Sequence, residues 1–211
     1  MMILALEFSS ERRSAALACG DRVLAEAVEQ TGGRGTDALG LIEKVLTEAG
    51  VSRKAIEAIA VGLGPGSYTG IRAAIAVAQG WQLTRGVKLL GVSSADAIAA
   101  QAQAEQFSGR VNVVIDAQRG EFYLAVWEIS PGGCREISPL KIVTGAEVEA
   151  LKSAGKACVG PEQKKQIYPP AAQVAQLAAA RTDFVLGEKL EPIYLREANF
   201  VKAPPPQNWL V

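Results

Sequence analysis

Apolar residues in this chain gather into two kinds of run, short strand-length stretches and longer stretches with helical spacing. The order in which these alternate begins again half-way along. Ile3 to Phe8 predicts a short buried strand, Ser14 to Cys19 a second and Arg22 to Glu29 a third, with Gly20-Asp21 as the tight turn between the last two. Thr36 or Asp37 then caps a helix whose apolar positions Leu39, Ile42, Val45, Leu46 and Ala49 recur at helical spacing, with Leu41 off that stripe and Gly50 as the stop. Ile56 to Val61 predicts a buried strand that runs into the glycine-rich segment from Gly62 to Gly70. A helix from about Ile71 to Leu83, a strand from Lys88 to Val92 and a helix capped by Ser93 or Ser94 complete the first half.

After Gly109 the pattern restarts, with strands expected at Val111 to Asp116, Phe122 to Ile129 and Ile137 to Val143. A short helix at Gly145 to Ser153, a short strand at Ala157 to Gly160 and an alanine-rich helix from Ala171 to Ala180 follow. Two lobes are therefore expected in an α/β architecture, at 1–107 and 108–202, each a mixed sheet flanked by helices. Two sheets with a common strand order would be their signature. The prolines of residues 203–211 fit no regular element and read as an extended tail, with Trp209 and Leu210 loose or docked.

Composition narrows the chemistry. A hydrophobic fraction of 49% with 21% charged residues is that of a folded chain. Lys plus Arg equals Asp plus Glu at 22 each, so no excess positive charge draws in a polyanion. Histidine is absent, which removes the usual general base near neutral pH and the commonest metal ligand. Cys19, Cys134 and Cys158 have neither disulfide-framework nor zinc spacing. No stretch approaches the roughly 18 apolar residues of a membrane span, so a cytoplasmic protein is expected.

The segment Gly62-Leu63-Gly64-Pro65-Gly66-Ser67-Tyr68-Thr69-Gly70 joins a strand to a helix, a placement that points free amides and the positive helix end at one spot. Gly64, Gly66, Ser67, Thr69 and Gly70 are the candidate nucleotide or phosphate contacts. The plainer reading is a glycine turn with a Ser or Thr cap. No lysine follows the glycines as in a phosphate loop, and no dinucleotide fingerprint is present.

The longer string GLGPGSYTGIRAAIAVAQG resembles the GxGPGSFTGxR segment of the TsaB family, relatives of the actin, sugar kinase and heat-shock ATPase superfamily. ILALEFSSERRSAALA is similar to that family's ILAxDTSTxxxSxAL opening, VIDAQRGEFYLAVW to its xIDARxGEVYxA stretch and EPIYLRE to its PxYLR motif. The likeness runs from about residue 2 to 202 in the same order. Two departures stand out, Glu7 where the family usually has Asp, and Arg34-Gly35-Thr36-Asp37 where many members carry His.

The resemblance implies an actin-like fold and a non-catalytic role. Such a subunit pairs with the transferase TsaD, recruits the ATPase TsaE and meets tRNA only through the complex, with TsaC supplying the activated intermediate. No tightly bound cofactor is implied, and ATP or ADP with Mg belongs, if anywhere, at the interface with TsaD. Pairing is expected through the two helices of the first lobe, with TsaD or as a homodimer. The residues expected there are Leu39, Ile42, Ile71, Ala74, Ile75 and Ala78, which equally suit an intramolecular core. Trp81 and Trp127 are expected in the core, and Asp116 and Arg119 as a turn-stabilising pair. Glu7, Glu11 and Asp116 are the one carboxylate set for magnesium. The competing readings are a stand-alone ATPase or kinase of this fold, and a peptidase, which the missing histidines disfavour.

Overall fold

The computed structural model describes residues 1–30, 35 and 37–196. The chain opens with β1 (Met2–Glu7), β2 (Arg12–Cys19) and β3 (Arg22–Gln30), followed by α1 (Ala38–Ala49), β4 (Ala58–Gly62), α2 (Tyr68–Arg85), β5 (Lys88–Val92) and α3 (Ser94–Ala104). The second half runs β6 (Gly109–Asp116), β7 (Glu121–Ser130), β8 (Gly133–Thr144), α4 (Gly145–Ser153), β9 (Ala157–Gly160), β10 (Lys165–Gln166) and α5 (Ala171–Ala179).

The two halves build two five-stranded sheets of one design. The first has the order β3-β2-β1-β4-β5 and the second, read from its opposite edge, β8-β7-β6-β9-β10. In both, a three-strand antiparallel meander is extended by two parallel strands, β1 pairing with β4 as β6 pairs with β9. The common strand order expected from the sequence is present. The crossovers are less alike. α1 and α4 occupy matching places, but where α2 joins β4 to β5, only the short stretch 161–164 joins β9 to β10. The second lobe therefore has no counterpart of the helix that follows the glycine loop.

The helix ends follow local chemistry. Asp37 accepts from Gly40 N at 2.9 Å to start α1, and Gly50, at φ 64°, ends it. Thr144 and Glu147 form a reciprocal capping box on α4. Thr36, the alternative cap of α1, and the tail at 203–211 lie outside the described residues.

Side-chain alternation along the first sheet sorts it into two buried faces. Leu4, Leu6, Phe8, Leu17, Ile59 and Val61 meet α1 and α2. Ile3, Ala5, Ala16, Ala18, Ala58 and Ala60 meet α5 through Ala171, Val174, Ala175 and Ala178. With alanine on both sides, helix and sheet backbones approach closely, and Ala171 N donates to Ser14 Oγ at 2.8 Å. The second sheet packs α3 against Val111, Val113, Ile115 and Trp127 on one face, and α4 against Val114, Leu124 and Val143 on the other. Each lobe thus lends its last helix to the other: α3 follows the first sheet but packs on the second, and α5 returns to the first. The two helices touch between the sheets. The expected division at 107/108 falls between the sheets, and these two helices cross it.

One helical face differs from the sequence expectation. On α1 the buried residues are Leu41, Ile42, Val45 and Leu46, while Leu39 is 62% exposed. At about 100° per residue these four span an arc of roughly 140°, and Leu39 falls just beyond its Leu46 edge. Trp127 is buried and Trp81 partly buried against the first core, as expected for both.

Because α5 sits on an alanine floor, enlarging that contact overfills it. Ala175→Leu is expected to cost about 1–3 kcal/mol of unfolding free energy, read as a lower urea midpoint, and an unchanged midpoint would contradict the close packing described.

Candidate functional site

The chemistry-bearing residues converge where β1, β4 and α2 meet. β4 delivers the chain into the loop, where Leu63 N donates to Val92 O at 2.8 Å and Gly64 N to Ser94 Oγ at 3.1 Å. The loop then turns back onto the β1–β2 connection, and Ser67 N donates to Ser9 O at 2.6 Å. Ser67 caps α2 through its side chain, which accepts from Gly70 N at 3.4 Å. A Cβ at Gly66 would stand 2.2 Å from Ser9 O, and one at Gly70 2.0 Å from Phe8 O. Those two glycines exist because the loop backbone lies directly on the first hairpin. The amide of Ser67 and the cap of α2 are thereby committed within the protein.

Glu7 sits below this loop, fully buried. Its Oε1 accepts from Ser9 N at 2.7 Å and its Oε2 from Ser94 Oγ at 2.7 Å. A Cβ on Gly62 would come within 1.8 Å of Oε2, so the carboxyl occupies the space that a side chain at 62 would need. Burial raises the proton affinity of Glu7 above the ordinary 4.5, and the hydrogen bonds from Ser9 and Ser94 oppose that rise. The magnesium set expected from the sequence is not assembled, because Glu7 turns inward while Glu11 and Asp116 line the cleft. No group of three or more His, Cys, Asp or Glu among the described residues is placed to hold a metal ion.

Between the lobes lies a cleft of about 650 Å³, walled by the β1–β2 connection, the loop with the start of α2, the β6–β7 turn and the segment after β9. Gly66 and Ser67 border it; Gly64, Thr69 and Gly70 do not. In the β6–β7 turn Asp116 accepts from Gln118 N at 2.8 Å and Gln118 Nε2 at 2.9 Å. The turn is stabilised by Gln118 in place of the Arg119 expected from the sequence. Glu162 is held above its usual proton affinity by burial first, with Asp116 and Glu11 repelling its charge.

Comparison with known proteins places the chain. The family model of TsaD, tRNA N6-adenosine threonylcarbamoyltransferase, matches residues 36–188. The chain is 29% identical over 181 residues to tRNA threonylcarbamoyladenosine biosynthesis protein TsaB of Escherichia coli (strain K12), covering 75% of this chain and 78% of that protein. Against TsaB of Bacillus subtilis (strain 168) it is 28% identical over 154 residues, covering 72% and 66% respectively. A solved structure of YeaZ from Pseudomonas aeruginosa superposes with a TM-score of 0.76 at 28% identity, over 92% of this chain and 99% of that one. The chain belongs to the TsaB (YeaZ) family. Its two lobes are those of the actin-like α/β fold.

On the helices of the first lobe the structure corrects the sequence reading of which residues are available at the surface. Ile42, Ile71, Ala74, Ile75 and Ala78 are buried between the helices and the first sheet, so they are core and unavailable to a partner. Of the six residues expected at an interface, Leu39 alone is exposed. The open face of the pair is instead marked by Leu39, Ala76, Gly80 and Leu83, the last 88% exposed, and a Cβ at Gly80 would meet nothing within 4 Å.

A second feature is the course of the segment that carries EPIYLRE, which the sequence marked as a motif but not as a bridge between the lobes. The segment from Val185 to Arg196 runs along α2 and then crosses to the other lobe. Gln79 Nε2 donates to Gly187 O at 2.7 Å, Gly187 N to Gln82 Oε1 at 2.6 Å and Ile193 N to Leu63 O at 2.9 Å. Tyr194 then packs on Tyr68 with ring centroids 5.9 Å apart, and Arg196 reaches Ala117 O and Glu121 on the second lobe. Gln79 and Gln82, three apart on one helix flank, were the available signal.

Two outcomes are expected for the Glu7 junction. Gly62→Ala is expected to destabilise the protein by about 1–3 kcal/mol, with a smaller loss in a Glu7→Ala background; additive losses in a double-mutant cycle would show that the two do not share the space. Since the folded protein raises the pKa of Glu7, its contribution is complete below 4.5 and falls as pH rises through the folded value. Unfolding measured against pH is therefore expected to show wild type losing stability relative to Glu7→Gln as pH rises above 4.5, whereas parallel curves would mean that Glu7 does not titrate differently on folding.

Proposed function

We propose that this chain is the non-catalytic subunit of a tRNA threonylcarbamoyladenosine-forming complex, that it pairs with a TsaD-type transferase, and that it is required for that enzyme's activity. The observation that carries the reading is family membership. The similar proteins of E. coli and B. subtilis both bear the name tRNA threonylcarbamoyladenosine biosynthesis protein TsaB.

The chemistry of the chain supports an accessory role. Histidine is absent from the sequence, and Glu7, at the end of β1, is enclosed where no substrate reaches it. The helix start that would cradle a phosphate has its first amide and its cap committed to Ser9 and to its own turn. A balanced charge of 22 against 22 gives the chain no polyanion-attracting excess, consistent with tRNA engaging the complex through its partner.

The contact with TsaD is placed on the outer face of α1 and α2, around Leu39, Ala76, Gly80 and Leu83. Small residues there let another helix approach closely, and two projecting leucines supply apolar anchors. A stable complex needs about 800 Å² per partner, which the outer faces of two helices of 12 and 18 residues can furnish. Without TsaD the same face would pair with a second copy. TsaE joins the assembled pair, and any ATP or ADP with Mg binds at the shared surface. No helix among the described residues is long and apolar enough to cross a membrane, in keeping with assembly in the cytoplasm.

Leu83→Asp combined with Leu39→Asp is expected to weaken association with TsaD at least tenfold while leaving the unfolding midpoint unchanged, since both side chains stand in solvent. Titration calorimetry and a tRNA-modification assay with each subunit omitted in turn check it. Full modification without this chain, or undiminished binding by the double variant, would overturn the reading.

A further inference from the structure

The interlobe cleft presents two unmet electrostatic demands on its walls. The first is Arg13, which is 8% exposed and lines the cavity. Among the described residues its hydrogen bonding is a single long contact, Nε to Ser10 O at 3.4 Å. Glu29, its register partner on β3, attracts the guanidinium without reaching ion-pair distance, and burial outweighs that attraction, lowering the affinity of Arg13 for its proton. Among the described residues no hydrogen bond or ion pair reaches the terminal nitrogens of this cation, which lines the cavity.

The second demand has the opposite sign. Asp116 and Glu162 line the same cavity, close enough to repel one another, and neither forms an ion pair with a Lys or Arg among the described residues. Glu162 Oε2 accepts from Asp116 N at 3.3 Å, and among the described residues the Asp116 carboxylate accepts only from the uncharged Gln118, so these bonds bring no positive charge to the pair. A polyphosphate would satisfy Arg13 while adding to the repulsion at Asp116 and Glu162. A simple amine would do the reverse.

We propose that the cleft is a binding site for a small zwitterion of the amino-acid class, with its carboxylate on Arg13 and its ammonium between Asp116 and Glu162. The cavity, at about 650 Å³, has room for such a molecule. Ser9 and Ser67 border the cavity as further polar groups beside the ligand, while the Ile98, Ile115 and Tyr123 side chains give it an apolar wall. This site is separate from the docking face on α1 and α2 and stands or falls independently of it.

The test is calorimetric titration of the chain with L-lysine, whose two ammonium groups lie at different distances from its carboxylate. Cadaverine, which lacks the carboxylate, and hexanoate, which lacks the ammonium, are the comparison ligands. Saturable lysine binding is expected, at least tenfold tighter than either comparison. Arg13→Gln is expected to bring lysine down to the level of cadaverine. Glu162→Gln, at a residue that keeps much of its surface in solvent although its carboxyl is partly enclosed by the cleft, is expected to weaken lysine at least tenfold by itself. No saturable lysine binding by the wild-type chain, cadaverine or hexanoate binding as tightly as lysine, or undiminished binding by folded Arg13→Gln or Glu162→Gln would each overturn the proposal.

Discussion

The first lobe depends on the contact between two stretches of backbone, the loop at Gly64 to Gly70 and the turn after β1. Ser67 N reaches Ser9 O at 2.6 Å, and glycines at 66 and 70 are what allow the chains so close. Glu7 ties the same junction from beneath, through Ser9 and Ser94. Since Ser94 begins the helix that packs on the second sheet, this buried carboxyl also couples the loop to the other lobe. The segment ending at Arg196 makes a second bridge from Leu63 to the β6–β7 turn.

That use of the loop decides what the lobe can offer. A helix start behind a glycine turn ordinarily leaves amides for an anion, but here the turn is folded down onto the hairpin. The outer face of α2 remains open, because its inner face is spent on the sheet and one flank on Gly187 and its neighbours. A helical surface is thereby left open on the first lobe, while Arg13, Asp116 and Glu162 line the cleft without an ion pair among the described residues.

Much of the fold was legible because its signals are local. Gly50 and Gly86 stop helices at positive φ, and Ser67, Ser93 and Thr144 cap them by side-chain bonds within three residues. The repeated meander could be read from the spacing of strand-length runs. What the sequence did not disclose depends on partners far along the chain. Periodicity shows that α5 has an apolar face, but not that Ala171 to Ala178 return to a sheet more than a hundred residues earlier. The spacing that marked Ile71, Ala74, Ile75 and Ala78 as a docking face marks a core face equally well, since a helix shows the same stripe to a sheet as to another subunit. The inward turn of Glu7 depends on the missing side chain at Gly62, which no local pattern announces.

The most direct test of the central claim, that the glycine loop holds the fold together, is to separate stability from activity in Gly66→Ala and Gly70→Ala. The expected result is a marked fall in the unfolding midpoint for each, because a methyl group at either position would meet a carbonyl oxygen of the first hairpin at 2.2 or 2.0 Å. Wild-type stability together with lost tRNA modification would contradict it, and would assign the loop to a ligand or to the chemistry instead.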